Sequence, residues 1–300
     1  MTETVLRTPD ERFANLPDWP FAPRYVDDLP GYEGLRVHYV DEGPADADRV
    51  FLCLHGEPSW AFLYRKMIPP FLATGARVVC PDFLGFGRSD KPVDDATYTV
   101  PFHRNMLLAF IERLDLQNIT LVVQDWGGLI GLTLPIAAPQ RYARLLVMNT
   151  GFGTGAVPSA GFMAWRQYAA SNPDMPIGAL FQRGKADMTE AEVAAYDAPF
   201  PDARYKAGAR RFPQLVPIAD DGDPFIAISR EAQAWWRGFT GPVFMAVGMK
   251  DPVLGPEVMA RLRTAFPTCG APFEVPEGGH FVQEHGDEIA AAALAAWGGR

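Results

Sequence analysis

The chain has 300 residues, with 27 Lys and Arg against 36 Asp and Glu, for a net charge of −9 with histidine neutral. At 48% hydrophobic and 21% charged residues, it has the composition of a folded globular protein rather than a disordered one. The acid excess excludes a broad phosphate-binding surface, and the longest apolar run, Ile289 to Trp297, is far short of the roughly 18 residues needed to span a bilayer.

From the N-terminus, Met1 to Asp10 alternates charged and polar residues without an apolar core, so no secretory signal is expected. Leu35 to Val40 and Val50 to Leu54 are short runs bounded by Gly, Asp and Pro, and they predict strands. Trp60 to Leu72 has apolar residues at helical spacing, with Pro69-Pro70 expected to kink or end the helix. A strand at Arg77 to Cys80, a helix from Phe102 to Leu114 and a strand from Ile119 to Val123 follow. Gly127 to Ala138 reads as a helix and Leu145 to Met148 as a strand. From Gly151 to Asp223, Pro, Gly and scattered aromatics replace this pattern, and no clear strand is seen. The alternation then resumes, with helices at Ser229 to Phe239, Pro256 to Ala265 and Asp287 to Trp297, and strands at Val243 to Val247 and Pro272 to Val275. Such alternation makes a mostly parallel sheet with helices on both faces. The expected organisation is one α/β core, 1–150 and 224–300, with a helical cap inserted at 151–223. Cys53, Cys80 and Cys269 have no short spacing and suit buried thiols in a reducing, cytoplasmic setting.

The strongest local motif is Val122-Val123-Gln124-Asp125-Trp126-Gly127-Gly128. An apolar strand leads straight into an acid, then two glycines and a helix, the setting in which a sharp turn exposes a nucleophile above a sheet. An Asp that merely caps the following helix fits this motif alone equally well. Leu54-His55-Gly56-Glu57-Pro58 also follows a strand, where a loop can aim backbone N–H groups at such a turn; a plain strand-to-helix turn is the alternative. Pro81-Asp82-Phe83-Leu84-Gly85-Phe86-Gly87-Arg88-Ser89 has neither a phosphate-loop nor a dinucleotide-loop pattern and reads as structural. Asp251 and His280 each lie just past a strand. Asp125, Asp251 and His280 therefore stand in the order nucleophile, acid, histidine, all at carboxyl ends of strands. His38, His55, His103 and His285 are read as structural or surface residues, and no His, Cys or acid spacing predicts a metal site.

On these motifs, together with Gly248-Met249-Lys250-Asp251-Pro252, Gly279-His280-Phe281-Val282-Gln283-Glu284, Phe162-Met163-Ala164-Trp165 and Asp197-Ala198-Pro199-Phe200-Pro201-Asp202, the sequence from about Leu6 onward resembles the haloalkane dehalogenases of the α/β-hydrolase superfamily. The resemblance implies that Asp125 is the nucleophile, His280 the base and Asp251 its orienting acid. It implies that Trp126 and Trp165 donate indole N–H groups to the halide, and that the backbone N–H groups of Glu57 and Trp126 form the oxyanion hole. Leu129 and Phe162 are expected to line the substrate cavity. Some branches place an Asn where this chain has Glu57, and an acid near Asn149-Thr150-Gly151. Both departures point to the branch with the acid at Asp251 and a second Trp in the cap. The implied substrate is a small halogenated aliphatic, hydrolysed to a primary alcohol and halide, with no cofactor, nucleic acid, membrane or obligate protein partner. The alternative is an epoxide hydrolase on the same Asp-Asp-His framework, for which Tyr168, Tyr196 and Tyr205 are candidate donors. A serine esterase lacks its Ser, and a ligand receptor on the same fold needs no such trio.

Overall fold

A computed structural model describes residues 4–298. Met1 to Glu3, at the start of the stretch read as lacking a signal, and Gly299-Arg300, at the end of the expected core, lie outside the described residues. The strands in chain order are β1 (Val5–Leu6), β2 (Arg24–Val26), β3 (Val37–Glu42), β4 (Val50–Leu54), β5 (Arg77–Pro81), β6 (Lys91–Pro92), β7 (Ile119–Gln124), β8 (Tyr142–Met148), β9 (Val243–Gly248) and β10 (Phe273–Val275). Eight of them form one sheet in the order β10-β9-β8-β7-β4-β5-β3-β2, and β1 pairs separately with β6. The sheet is parallel from β10 to β5, while β3 and β2 run antiparallel at one edge. The turn 43–49 carries the chain from β3 past β5 to β4 and is too short for a crossover, so β3 runs opposite to β4 and β5.

β4 and β7 are buried along their whole length, and for this reason they read in sequence as unbroken apolar runs rather than alternating ones. Each fully buried Leu or Val of this layer contributes about 1.5–3 kcal/mol relative to exposure. The helices that cover it are α1 (Ile68–Leu72), α2 (Val100–Arg113), α3 (Asp125–Gly131), α8 (Pro224–Arg237), α9 (Pro256–Arg263) and α10 (Gly286–Ala296). Two helices differ from the sequence expectation. Trp60 to Leu72 is a 3-10 turn at Ala61–Tyr64 followed by α1, and Pro69-Pro70 begins α1 instead of ending it. Proline suits the first turn because the N–H groups it removes have no helical partner there. α3 ends at Gly131, well before Ala138.

Between β8 and α8 the chain adds four helices, Ala160–Ser171, Ile177–Gly184, Glu190–Asp197 and Ala207–Leu215, here numbered α4 to α7 in chain order. Among the described residues this stretch contains no strand, and among them no helix anywhere is long and apolar enough to cross a membrane. Arg65, from the turn after β4, fixes one of the four to the core. Its guanidinium meets Glu284 through both terminal nitrogens at 2.7 Å and Glu192 of α6 at 2.8 Å. The Tyr196 hydroxyl of α6 also donates to Glu284.

Candidate active site

Asp125 begins α3 directly after β7, at φ +49°, a left-handed conformation that a non-glycine residue adopts only under strain. The turn is held on both sides. The Asp125 N–H donates to Asn149 O at 3.0 Å, and Thr150 Oγ1 donates to Asp125 O at 2.7 Å. The glycines after it are required by close approach: a Cβ at Gly127 would collide with Leu54 O, and one at Gly128 with the Thr150 side chain. The Glu57 N–H, from the loop after β4, donates to Asp125 Oδ2 at 2.8 Å.

His280 and Asp251 arrive from the loops after β10 and β9. His280 Nε2 stands 3.6 Å from Asp125 Oδ1, and its Nδ1 lies 2.9 Å from Asp251 Oδ2. The Gln124 amide donates to His280 O at 2.9 Å and fixes the loop. Asp251 Oδ1 accepts from the N–H groups of Val253 and Leu254, at 2.8 and 3.1 Å. Burial acts to raise the Asp251 pKa, but His280 and these donors outweigh it, so its pKa is lowered. Burial acts to lower the His280 pKa; the Asp251 and Asp125 carboxylates reverse this and hold it well above the ordinary value.

Above these residues lies a cavity of about 750 Å³ whose wall includes Glu57, Asp125, Trp126, Leu129, Phe162, Trp165 and His280. Trp60 and Trp236 spend their indole N–H groups on Ala195 O at 3.1 Å and Leu132 O at 2.8 Å, inside the core. Trp126 and Trp165 line the cavity instead, and the Trp165 indole interacts with the Glu57 carboxyl group. Trp126 is wedged edge-on against Phe212, with centroids 4.8 Å apart. Trp165 sits on α4, whose N-cap Ser159 accepts from Phe162 N and donates to Val253 O, each at 3.1 Å. α4 is thereby tied to the loop that carries Asp251. No tyrosine lines the cavity among the described residues, and Tyr196 is turned into the Arg65–Glu284 cluster.

Comparison with known proteins agrees with this architecture. A family model described as the alpha/beta hydrolase fold matches residues 49–287. A haloalkane dehalogenase of Psychrobacter cryohalolentis is 47% identical over 95% of both chains. The chain belongs to the haloalkane dehalogenases. A relative of the same name from Mycobacterium marinum is 44% identical over 98% of this chain and 99% of its own. The solved haloalkane dehalogenase of Paraglaciecola agarilytica, described as tetrameric, is 48% identical over 98% of this chain and 99% of that one, with a TM-score of 0.95.

Of the other histidines, His55 is fully buried, with Nδ1 2.8 Å from Gly56 O and Nε2 accepting from Phe83 N at 3.0 Å. His38 pairs with Asp82 at 2.7 Å, His103 is packed among aromatic rings, and His285 lies beside Glu288. None of the four lines the cavity. Sequence reasoning gave no role to Asn149, Thr150 or Gln124. Their only signal was position: Gln124 adjoins Asp125, and Asn149-Thr150 follows the end of β8.

Proposed function

We propose that this dehalogenase hydrolyses a small halogenated aliphatic to a primary alcohol and halide through an alkyl ester on Asp125. The observation that carries the reading is a carboxylate at the strained turn, backed by the His280–Asp251 pair and facing two cavity-lining indoles. An Asp125 oxygen attacks the sp³ carbon as the carbon–halogen bond breaks, and the electron pair leaves with the halide. Because charge develops on the halogen, Trp126 and Trp165 are the donors that stabilise this step. The two indoles and the late acid at Asp251 support the reading of a Trp–Trp halide site.

Alkylation makes Asp125 neutral and so removes one of the two charges that raise the His280 pKa. His280 then gives up its proton to solvent and becomes the base for the second step. It deprotonates a water that attacks the ester carbonyl, while Asp251 stabilises the imidazolium. Collapse of the tetrahedral intermediate breaks the acyl–oxygen bond, restores the Asp125 carboxylate and releases the alkoxide, which leaves as the alcohol with the proton from His280. The Glu57 N–H, already on Asp125 Oδ2, and the Trp126 N–H at the start of α3 form the oxyanion hole. Residues 151–223 act as a cap over the core of 1–150 and 224–300, contributing Phe162 and Trp165 to the cavity; Leu129 comes from the core. The enzyme works in the cytoplasm without an obligate protein partner.

His280→Ala should accept the alkyl group and stall, so incubation with a bromoalkane should release about one equivalent of bromide and leave Asp125 alkylated by mass spectrometry. Full turnover by Asp125→Ala, or no adduct in His280→Ala, would overturn the covalent route. The wall without a tyrosine disfavours epoxide hydrolysis, and diol release from an epoxide panel tests that directly.

A further inference from the structure

The route above uses only the backbone N–H of Glu57. The Glu57 side chain is nevertheless 3% exposed, with Oε1 lacking any hydrogen-bond partner among the described residues. Glu57 shares the cavity wall with Asp125, Trp126 and Trp165. Burial raises its pKa well above the ordinary carboxylate range and the Asp125 charge adds to this, while His280 and a polar interaction with the Trp165 indole act the other way. Arg183, Lys250 and Arg261 complete the charged groups on the wall; all three are solvent-exposed, and Lys250 is paired with Glu277. A second carboxylate buried beside Asp125, with one oxygen unpaired, is strongly disfavoured, whereas a carboxylic acid at the same place is not.

We propose that Glu57 is a neutral carboxylic acid in the resting enzyme, and that its protonation state sets the strength of the halide site. This rests on the reading of Trp126 and Trp165 as the halide donors. As an acid, Glu57 is a weak acceptor and leaves the Trp165 N–H available to an anion. As a carboxylate, it would capture that N–H and place a negative charge beside the departing halide. Glu57 is thus a positioning residue for Trp165, and the halide site weakens as pH rises through its titration. His280 loses its proton in the same direction, so the two contributions must be separated.

The test combines infrared spectra of the full-length protein with chloride and bromide titrations followed by tryptophan fluorescence, from about pH 6 to about pH 10. The wild type should show the C=O stretch of a protonated carboxyl near neutral pH, missing in Glu57→Gln and lost from the wild type at high pH. Over that loss, halide binding should weaken roughly ten- to a hundredfold, the range set by a hydrogen bond to a charged group. Glu57→Gln should remove this part of the pH dependence and keep the part due to His280. A wild type without the band near neutral pH, or superimposable pH profiles for wild type and Glu57→Gln, would overturn the proposal. The infrared titration of the wild type decides the matter if the variant does not fold. Trp165→Phe, measured in parallel, separates the two levels. If it leaves halide binding intact, the two-indole reading falls and the proposal with it. If it weakens binding while the wild-type band is absent, only the Glu57 proposal falls.

Discussion

Asn149 Nδ2 lies 3.0 Å from Asp251 Oδ2, the same oxygen that His280 Nδ1 meets at 2.9 Å. Asn149 follows β8 and is fully buried; its Oδ1 accepts from Gly248 N at 2.8 Å, so it braces the ends of two neighbouring strands. The amide at the end of β8 thus orients an acid that is supplied from the end of β9. Asn149→Ala should cost about 1.5–3 kcal/mol of stabilisation at Asp251. Hydrolysis of the alkyl-enzyme should then slow by up to roughly ten- to a hundredfold, with alkylation less affected. Pre-steady-state decay of the intermediate measures this, and an unchanged decay rate would show that Asn149 only packs.

Trp165→Phe removes an indole donor while retaining most of the aromatic volume. A lost hydrogen bond to a charged group costs about 1.5–3 kcal/mol, so bromide release in a single turnover should fall roughly ten- to a hundredfold. Near-normal turnover and fluorescence quenching by halide would reduce Trp165 to a packing residue stacked on Tyr168, whose ring centroid is 5.8 Å away.

Arg65 has a fully buried side chain and depends on Glu284 and Glu192 for its compensation. Glu284→Ala removes the two-point partner and leaves that cation with Glu192, and breaking a buried pair from one side costs up to about 3–5 kcal/mol. Tyr196→Phe removes only the hydroxyl donor, at about 1.5–3 kcal/mol. Thermal unfolding should therefore rank Glu284→Ala below Tyr196→Phe, and both below wild type. Equal melting temperatures for the three proteins would contradict this account of how α6 is anchored.

Asp82, Asp251 and Glu284 share one electrostatic pattern. Burial pushes each pKa up, but His38 for Asp82, His280 for Asp251 and Arg65 for Glu284 more than reverse it, so all three are lowered. Their ionised forms therefore favour the folded state. That stabilisation is complete above the unfolded carboxyl values of about 4 and disappears as pH falls through the lower folded values. Glu57 has the opposite sign: its raised pKa contributes stability that is lost as pH rises. Melting temperature should decline steeply below about pH 4, and a flat profile down to about pH 3 would sink this explanation.

Much of the sheet could be read directly from the sequence. β4 and β7 are buried on both faces, so apolar runs at Val50 to Leu54 and Ile119 to Val123 mark them without any knowledge of their neighbours. The sharp turn at Asp125 was also readable, because Gly127 and Gly128 are needed wherever α3 approaches β4 and β8 this closely. The chain order of Asp125, Asp251 and His280 gave the candidate trio, since each follows its own strand.

Short-range pattern could not show which residues meet across the sheet. β2 is a three-residue edge strand, and its pairing with β3 depends on partners rather than on its own sequence. Asn149 bears on the site only because β8 and β9 lie side by side, which brings it to Asp251 from a distant part of the chain. Glu57 offers the sharpest contrast. Its sequence position identified the loop after β4, but the burial of its carboxyl group, on a cavity wall shared with Asp125 and Trp165, depends on residues far apart in the chain. Local residue types and spacing determined the strands, the turn and the candidate trio. Tertiary packing decided the charge environment, because desolvation and charge–charge interactions depend on distance in space and not on separation along the chain.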